Sequence, residues 1–204
     1  NPANTGVGQR GQKAGQKNPF PTMEKSGFGL TPPLDLPEEE MLASGVVGEN
    51  GEILNRKDPV DLARLAIGQE RLLATPLQTA NAYAALARGG DVLTPKLVSG
   101  GDDHGQLDLQ PGTRAAILEG MKGGTSTPLG TAYYAFKDEK LPIAAKTGSA
   151  ENENPDAHAW FVGFLPPDKP RLLVLVMVEG GQHGGTVAAP MARQIIDAGW
   201  PLVQ

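Results

Sequence analysis

The stretch LPIAAKTGSAENENPDAHAWFVGFLPPDKPRLLVLVMVE, residues 141–179, decides the architecture of this chain. It reads as three β-like runs, 141–150, 158–165 and 171–179. Only 151–157 and Pro166-Pro167-Asp168-Lys169-Pro170 separate them. Connections this short join antiparallel neighbours, because a parallel crossover takes about a dozen residues or more. The second and third runs are apolar at successive positions: Trp160, Phe161, Val162 and Phe164, then Leu172, Leu173, Val174, Leu175, Val176 and Met177. Side chains alternate across a strand, so both faces of this sheet must be covered.

The covering layers are expected on either side of the stretch. Downstream, a helix from Pro190 to about Ala198 places Met191, Ile195 and Ala198 on one side. The intervening Gly180-Gly181-Gln182-His183-Gly184-Gly185 reads as a mobile loop, which could border a cleft but is better read as a plain solvated turn. Upstream, 75–88 is the clearest helix. Thr75 suits the N-cap, Pro76 the first helical position, and Gln78 completes a capping box. Leu77, Ala80, Ala84 and Ala87 recur at helical spacing, and Gly89-Gly90 marks the end. A second helix is predicted from Pro111 to about Met121, with Ala115, Leu118 and Met121 on one side. The fold class is α/β (α+β), an antiparallel sheet covered by helices on both faces. No internal repeat is visible. The chain divides into a loop-rich 1–60, where only 17 residues are apolar, a mainly helical 61–140, and the meander with its final helix, 141–204.

Composition narrows the function. The net charge of -5 argues against a nucleic-acid partner, since phosphate binding needs a basic stripe. With no cysteine there is no disulfide scaffold, thiol nucleophile or zinc-thiolate site. The longest purely apolar run, Leu172–Val178, is far short of the roughly 18 residues of a membrane span. His104, His158 and His183 are too scattered for a metal pair, and no HExxH pattern, Gly-x-Ser-x-Gly elbow or P-loop occurs. His158 reads as structural, and Glu38-Glu39-Glu40 as a solvated acidic face.

One stretch carries chemistry. Lys146-Thr147-Gly148-Ser149 ends the first strand. Lysine supplies a point charge, the two hydroxyls supply hydrogen bonds, and glycine lets a ligand approach the backbone. That set suits an anionic ligand. A Lys-Thr-Gly motif also occurs in penicillin-binding proteins and serine β-lactamases. Here it is followed by His158-Ala159-Trp160-Phe161-Val162-Gly163-Phe164, the apolar strand, and Ala188-Ala189-Pro190. Upstream lie Gly27-Phe28-Gly29, Asp35-Leu36-Pro37, Ile67-Gly68-Gln69 and Thr75-Pro76-Leu77-Gln78. In this order they resemble the C-terminal portion of a penicillin-binding protein transpeptidase domain of the monofunctional, class B type. The resemblance covers nearly the whole of 1–204. It departs at Glu70, where the family usually has glycine. Asn4-Thr5-Gly6 resembles the family's Ser-x-Asn segment, with Pro2 at the serine position. Either the register is shifted, or the site is altered, or the opening residues are not native sequence.

The resemblance implies a penicillin-binding transpeptidase or serine β-lactamase-like fold. It implies a D,D-transpeptidase that cross-links peptidoglycan stem peptides through a serine acyl-enzyme and is trapped by β-lactam antibiotics. Lys146 would give positive potential for the substrate carboxylate, and Thr147 and Ser149 would hydrogen-bond it beside Gly148. The Ser149 N–H would form one arm of an oxyanion hole, and Asn4 would bind the substrate amide. No metal or organic cofactor is implied. No serine here has a lysine three residues on. The Ser-x-x-Lys is therefore expected on an N-terminal part of the same domain, before Asn1, so that Asn1 is not the biological N-terminus. Other cell-wall synthesis proteins are expected partners. The expected location is the periplasm, at the extracytoplasmic face of the inner membrane, anchored through a segment outside this chain. Two rivals are a class D-like β-lactamase or β-lactam sensor of the same fold, and a non-catalytic cell-wall scaffold.

Overall fold

The computed structural model describes residues 19–32, 34, 36–55, 57–69, 71–97, 104–151 and 156–204. They fall into two compact units, one up to Ala82 with Val92–Leu107, the other Tyr83–Asp91 with Asp108–Gln204.

The first unit holds helix α1 (Phe20–Lys25), a 3-10 turn (Glu38–Glu40), strand β1 (Gly45–Val46), helix α2 (Leu62–Leu65) and strand β2 (Leu72–Leu73). β1 and β2 pair antiparallel. Phe20, Val46 and Leu65 make a small core with Met23, Leu54 and Val60. Asp61 caps α2 by accepting from the Ala63 and Arg64 N–H groups.

Helix α3 (Pro76–Ala87) begins where expected, with the Gln78 N–H donating to Thr75 Oγ1 over 3.1 Å. The reciprocal half of the capping box does not form. The Thr75 N–H donates to Ser44 Oγ at 2.9 Å. The Gln78 side chain is buried and donates to the Ser26 carbonyl. A buried carbonyl needs a donor, and the helix end has a second acceptor at Ser44, so the amide is directed away from its own cap. Gly27 makes room for it: its φ is +90°, and a Cβ there would stand 2.8 Å from Gln78 Nε2. At the far end the Gly90 N–H reaches the Ala85 carbonyl and the Gly89 N–H the Leu86 carbonyl. This is a Schellman closure, with φ of 81° and 107° at the two glycines. Strands β3 (Asp91–Leu93) and β4 (His104–Gln106) then pair.

The second unit is built on helices α4 (Pro111–Ser126) and α5 (Tyr133–Phe136), strands β5 (Ala144–Ala150), β6 (His158–Leu165) and β7 (Leu172–Val178), and helix α6 (Ala189–Gly199). The strands form an antiparallel meander in the order β5-β6-β7. The last helix turns a different face to the sheet than expected: Met191, Ile195 and Ala198 are exposed, and Ala189, Ala192 and Ile196 are buried. Two boundaries differ from expectation by more than a residue. β5 starts at Ala144, not at Leu141. Glu139 Oε1 accepts from the Lys140 and Leu141 N–H groups, and Pro142 has no N–H for a ladder. α4 runs past Met121 through Gly123 and Gly124 to Ser126. Packing overrides the low helix propensity of glycine there: Thr125 Oγ1 donates to the Ile143 carbonyl (2.8 Å), and a Cβ at Gly124 would lie 3.0 Å from the Ala145 carbonyl.

Both sheet faces are covered, as their apolar runs require. Ala145, Phe161, Leu165, Val174 and Val176 pack with Phe136 of α5 and Ala189, Ala192 and Ile196 of α6. On the other face Ala144, Phe164 and Leu173 pack with Leu118 and Met121 of α4 and with Tyr83, Leu86 and Ala87 of α3. Arg114 binds this second layer: its Nε donates to the Leu86 carbonyl (3.2 Å) and its Nη2 to that of Ala87 (2.8 Å). These are charge-assisted bonds to the last carbonyls of the helix, of which Leu86 also accepts from the Gly89 N–H. Arg114→Ala is expected to lower stability by about 2 kcal/mol. Arg114→Lys should recover only part, because a point charge cannot serve both carbonyls as the planar fork does. Urea unfolding checks both, and an unchanged midpoint in Arg114→Ala would refute the cap.

Candidate active site

The four residues of the Lys-Thr-Gly-Ser motif all lie on β5. Strand alternation sets Lys146 and Gly148 on the side of Ala144, and Thr147 and Ser149 on the side of Ala145. β5 pairs with β6 through Lys146↔Val162, Thr147↔Phe161, Gly148↔Trp160 and Ser149↔Ala159. Its other edge pairs with no strand among the described residues. Such an edge presents backbone donors and acceptors to an extended partner. Asn4 lies outside the described residues.

Lys146 and Ser149 are exposed, and Thr147 is buried. The Lys146 ammonium donates to the Thr147 carbonyl. Among the described residues no carboxylate forms an ion pair with it. Although the residue retains surface, protein packed around its ammonium displaces water and pushes its pKa below the ordinary lysine value. A partly desolvated cation without an internal counter-ion attracts anions more strongly than one in open solvent.

Two further segments pack around the motif, the α4–α5 turn and the entry to α6, and sequence reading assigned neither of them to it. Thr131 Oγ1 lies 2.6 Å from Thr147 Oγ1. A Cβ at Gly184 would fall 2.6 Å from the Gly148 carbonyl and 2.3 Å from that of Trp160. A Cβ at Gly185 would fall 2.2 Å from the Thr131 carbonyl. The 180–185 loop is therefore no solvated turn at Gly184, which is buried and begins a π-helical turn, Gly184–Ala188, leading into α6. Gln182 Nε2 donates to Asp156 Oδ1 (2.9 Å), and the Gln182 N–H to the Ala157 carbonyl (2.7 Å). His183 is exposed beside this seam. His158 is structural in the expected way: its Nδ1 accepts from the Gly180 N–H at 3.2 Å. The available signal was glycine spacing at 123–130 and 180–185, which marks close backbone approach as readily as turns.

An open groove of about 380 Å³ is lined by Lys122, Tyr133, Phe136 and Pro142 among others, but by none of 146–149. It holds no nucleophile–base pair and is not the site the motif marks.

The motif thus lies on the edge strand of a helix-covered antiparallel meander. The model of the penicillin binding protein transpeptidase domain matches residues 2–197, and the chain belongs to that family. It is 30% identical over 205 residues to the peptidoglycan D,D-transpeptidase MrdA of Haemophilus influenzae, covering 86% of this chain and 31% of that protein. Among solved structures it is similar to penicillin-binding protein A of Mycobacterium tuberculosis in a ceftriaxone acyl-enzyme complex (TM-score 0.77, 26% identity, 96% of this chain and 46% of that one). It is also similar to the penicillin-binding protein PBP2 of Helicobacter pylori in complex with MreC (TM-score 0.72, 26% identity, 90% and 35%). The chain spans about a third of the length of the curated relatives it matches.

Two measurements test this geometry. An NMR titration of the Lys146 ammonium should give a pKa below the ordinary lysine value of about 10.4, so that the charge is lost at lower pH than on a free side chain. An ordinary value would remove the desolvation. Gly184→Ala should destabilise the protein by about 2 kcal/mol or more, since the added methyl meets backbone that cannot rotate away. Thermal unfolding of that variant at the parental midpoint would contradict the close approach.

Proposed function

We propose that the protein containing this chain is a D,D-transpeptidase that cross-links peptidoglycan stem peptides and is acylated by β-lactam antibiotics. The observation that carries the reading is Lys146, a partly desolvated cation with no carboxylate partner among the described residues, on an edge strand with Thr147 and Ser149. A substrate ending in D-Ala-D-Ala presents an extended peptide and a terminal carboxylate. Backbone pairing along β5 would hold the peptide, and Lys146, Thr147 and Ser149 would hold the carboxylate. The Ser149 N–H would serve as an oxyanion donor, a role whose loss costs on the order of 3 kcal/mol. Asn4 would hydrogen-bond the substrate amide. A serine outside this chain would attack the carbonyl, and an amine of a second stem peptide would release the acyl group.

Family membership supports this reading, as do the name of the H. influenzae relative and the acyl-enzyme of the M. tuberculosis structure. The H. pylori complex with MreC supports a further protein partner. No helix among the described residues is long and apolar enough to cross a membrane. The extracytoplasmic location and the anchor are part of the proposal.

In the full-length protein, Lys146→Ala should slow acylation by a fluorescent penicillin at least about tenfold with little change in unfolding temperature. An exposed strand-end charge contributes only about 0–1 kcal/mol to stability. Lys146→Arg should rescue in part, since its fork differs in shape from an ammonium. Stopped-flow rates for Lys146→Ala within a few-fold of the parent would remove the assigned role. A parent that acylates but releases the acyl group within seconds would favour the β-lactamase reading, and one never acylated the scaffold.

A further inference from the structure

Thr131 lies in the turn from α4 to α5, outside every motif of the sequence. Its backbone is held from both sides. A Cβ at Gly130 would overlap the Gly123 and Gly124 carbonyls at 2.5 and 2.4 Å, and one at Gly185 would overlap the Thr131 carbonyl at 2.2 Å. The Thr131 side chain therefore leaves a fixed point. It is exposed, and its hydroxyl meets that of buried Thr147 at 2.6 Å.

Each threonine hydroxyl has one proton and two lone pairs. When Thr147 donates to Thr131, its proton is used within the protein. When Thr131 donates, Thr147 keeps its proton for a ligand and has its orientation fixed by the bond it accepts. A carboxylate offers only acceptors, so its arrival selects the second arrangement. We propose that Thr131 is a positioning residue: it donates to Thr147 Oγ1 and thereby directs the Thr147 proton to the ligand carboxylate. This rests on the proposed function, which supplies the carboxylate. Thr131 acts through Thr147 and does not itself touch the ligand.

The test uses the full-length protein and a fluorescent penicillin, with the dissociation constant of the first complex and the acylation rate measured separately. Thr131→Val keeps the shape and removes the hydroxyl. Its overall acylation efficiency is expected to fall about tenfold, with the unfolding midpoint within a degree or two of the parent. Thr131→Ser restores the hydroxyl and should recover most of the loss. In the double variant Thr131→Val, Thr147→Val the loss should not exceed that of Thr147→Val alone, because the first hydroxyl has nothing left to orient. A parental rate in Thr131→Val, no recovery in Thr131→Ser, or additive losses in the double variant would each overturn the inference. So would a loss of rate that merely follows a loss of folded protein. A parent that forms no penicilloyl adduct would overturn the proposed function and this inference with it. A parent that acylates beside an unimpaired Thr131→Val overturns this inference alone.

Discussion

Phe161 and Phe164 are both fully buried, on opposite faces of β6. A strand buried on both faces needs a layer on each side. β6 is the central strand, α5 and α6 cover one face, and α3 and α4 the other. That leaves β5, with its lysine and hydroxyls, at an edge of the sheet. Among the described residues, no strand pairs with the other edge of β5. The interior of the sheet gives β5 a rigid back, and rigidity is what a positioned charge needs.

Around the motif, glycine replaces side chains with backbone. Gly130 lies against the end of α4, Gly184 against the β5 and β6 carbonyls of Gly148 and Trp160, and Gly185 against the Thr131 carbonyl, each more closely than a Cβ atom would permit. Packing by backbone leaves few rotamers to adjust, so neighbouring hydroxyls and carbonyls hold fixed positions. The hydroxyl pair of Thr131 and Thr147 and the Lys146 bond to the Thr147 carbonyl lie within this frame. On the proposed function, its polar groups would meet an incoming anion with little reorganisation, the condition under which electrostatic interactions contribute most to catalysis.

In the first unit a similar economy joins two segments that carry the family resemblance. Gly27 of Gly-Phe-Gly supplies a left-handed turn and open space, and the Gln78 amide of Thr-Pro-Leu-Gln uses that space to reach the Ser26 carbonyl. Ser44 adds a second link, accepting from the Thr75 N–H. Residues that read as loop punctuation and as a capping signal therefore form one buried polar contact.

Much of the frame was legible without coordinates. Continuous apolar runs and short Pro-containing connections pointed to the antiparallel meander, Thr75 and Gly89-Gly90 bounded α3, and Lys146-Thr147-Gly148-Ser149 fell on one strand. These are local signals, carried by residues within one element or its turn. Other features depended on partners distant in the chain. Gln78 turned from its cap because Ser26, 52 residues away, offered a buried carbonyl. α4 continued through two glycines because Ile143 and Ala145 lay against its last turn. Gly184 proved to be a buried contact rather than a solvated turn because the Gly148 and Trp160 carbonyls stand where its side chain would be. Thr131 was invisible as a site residue, since nothing in its own neighbourhood distinguishes it from any threonine in a turn. Periodicity and capping follow from the bonding of adjacent residues and are written along the chain. The direction of a hydroxyl or the space for a glycine is decided by atoms that only folding brings near.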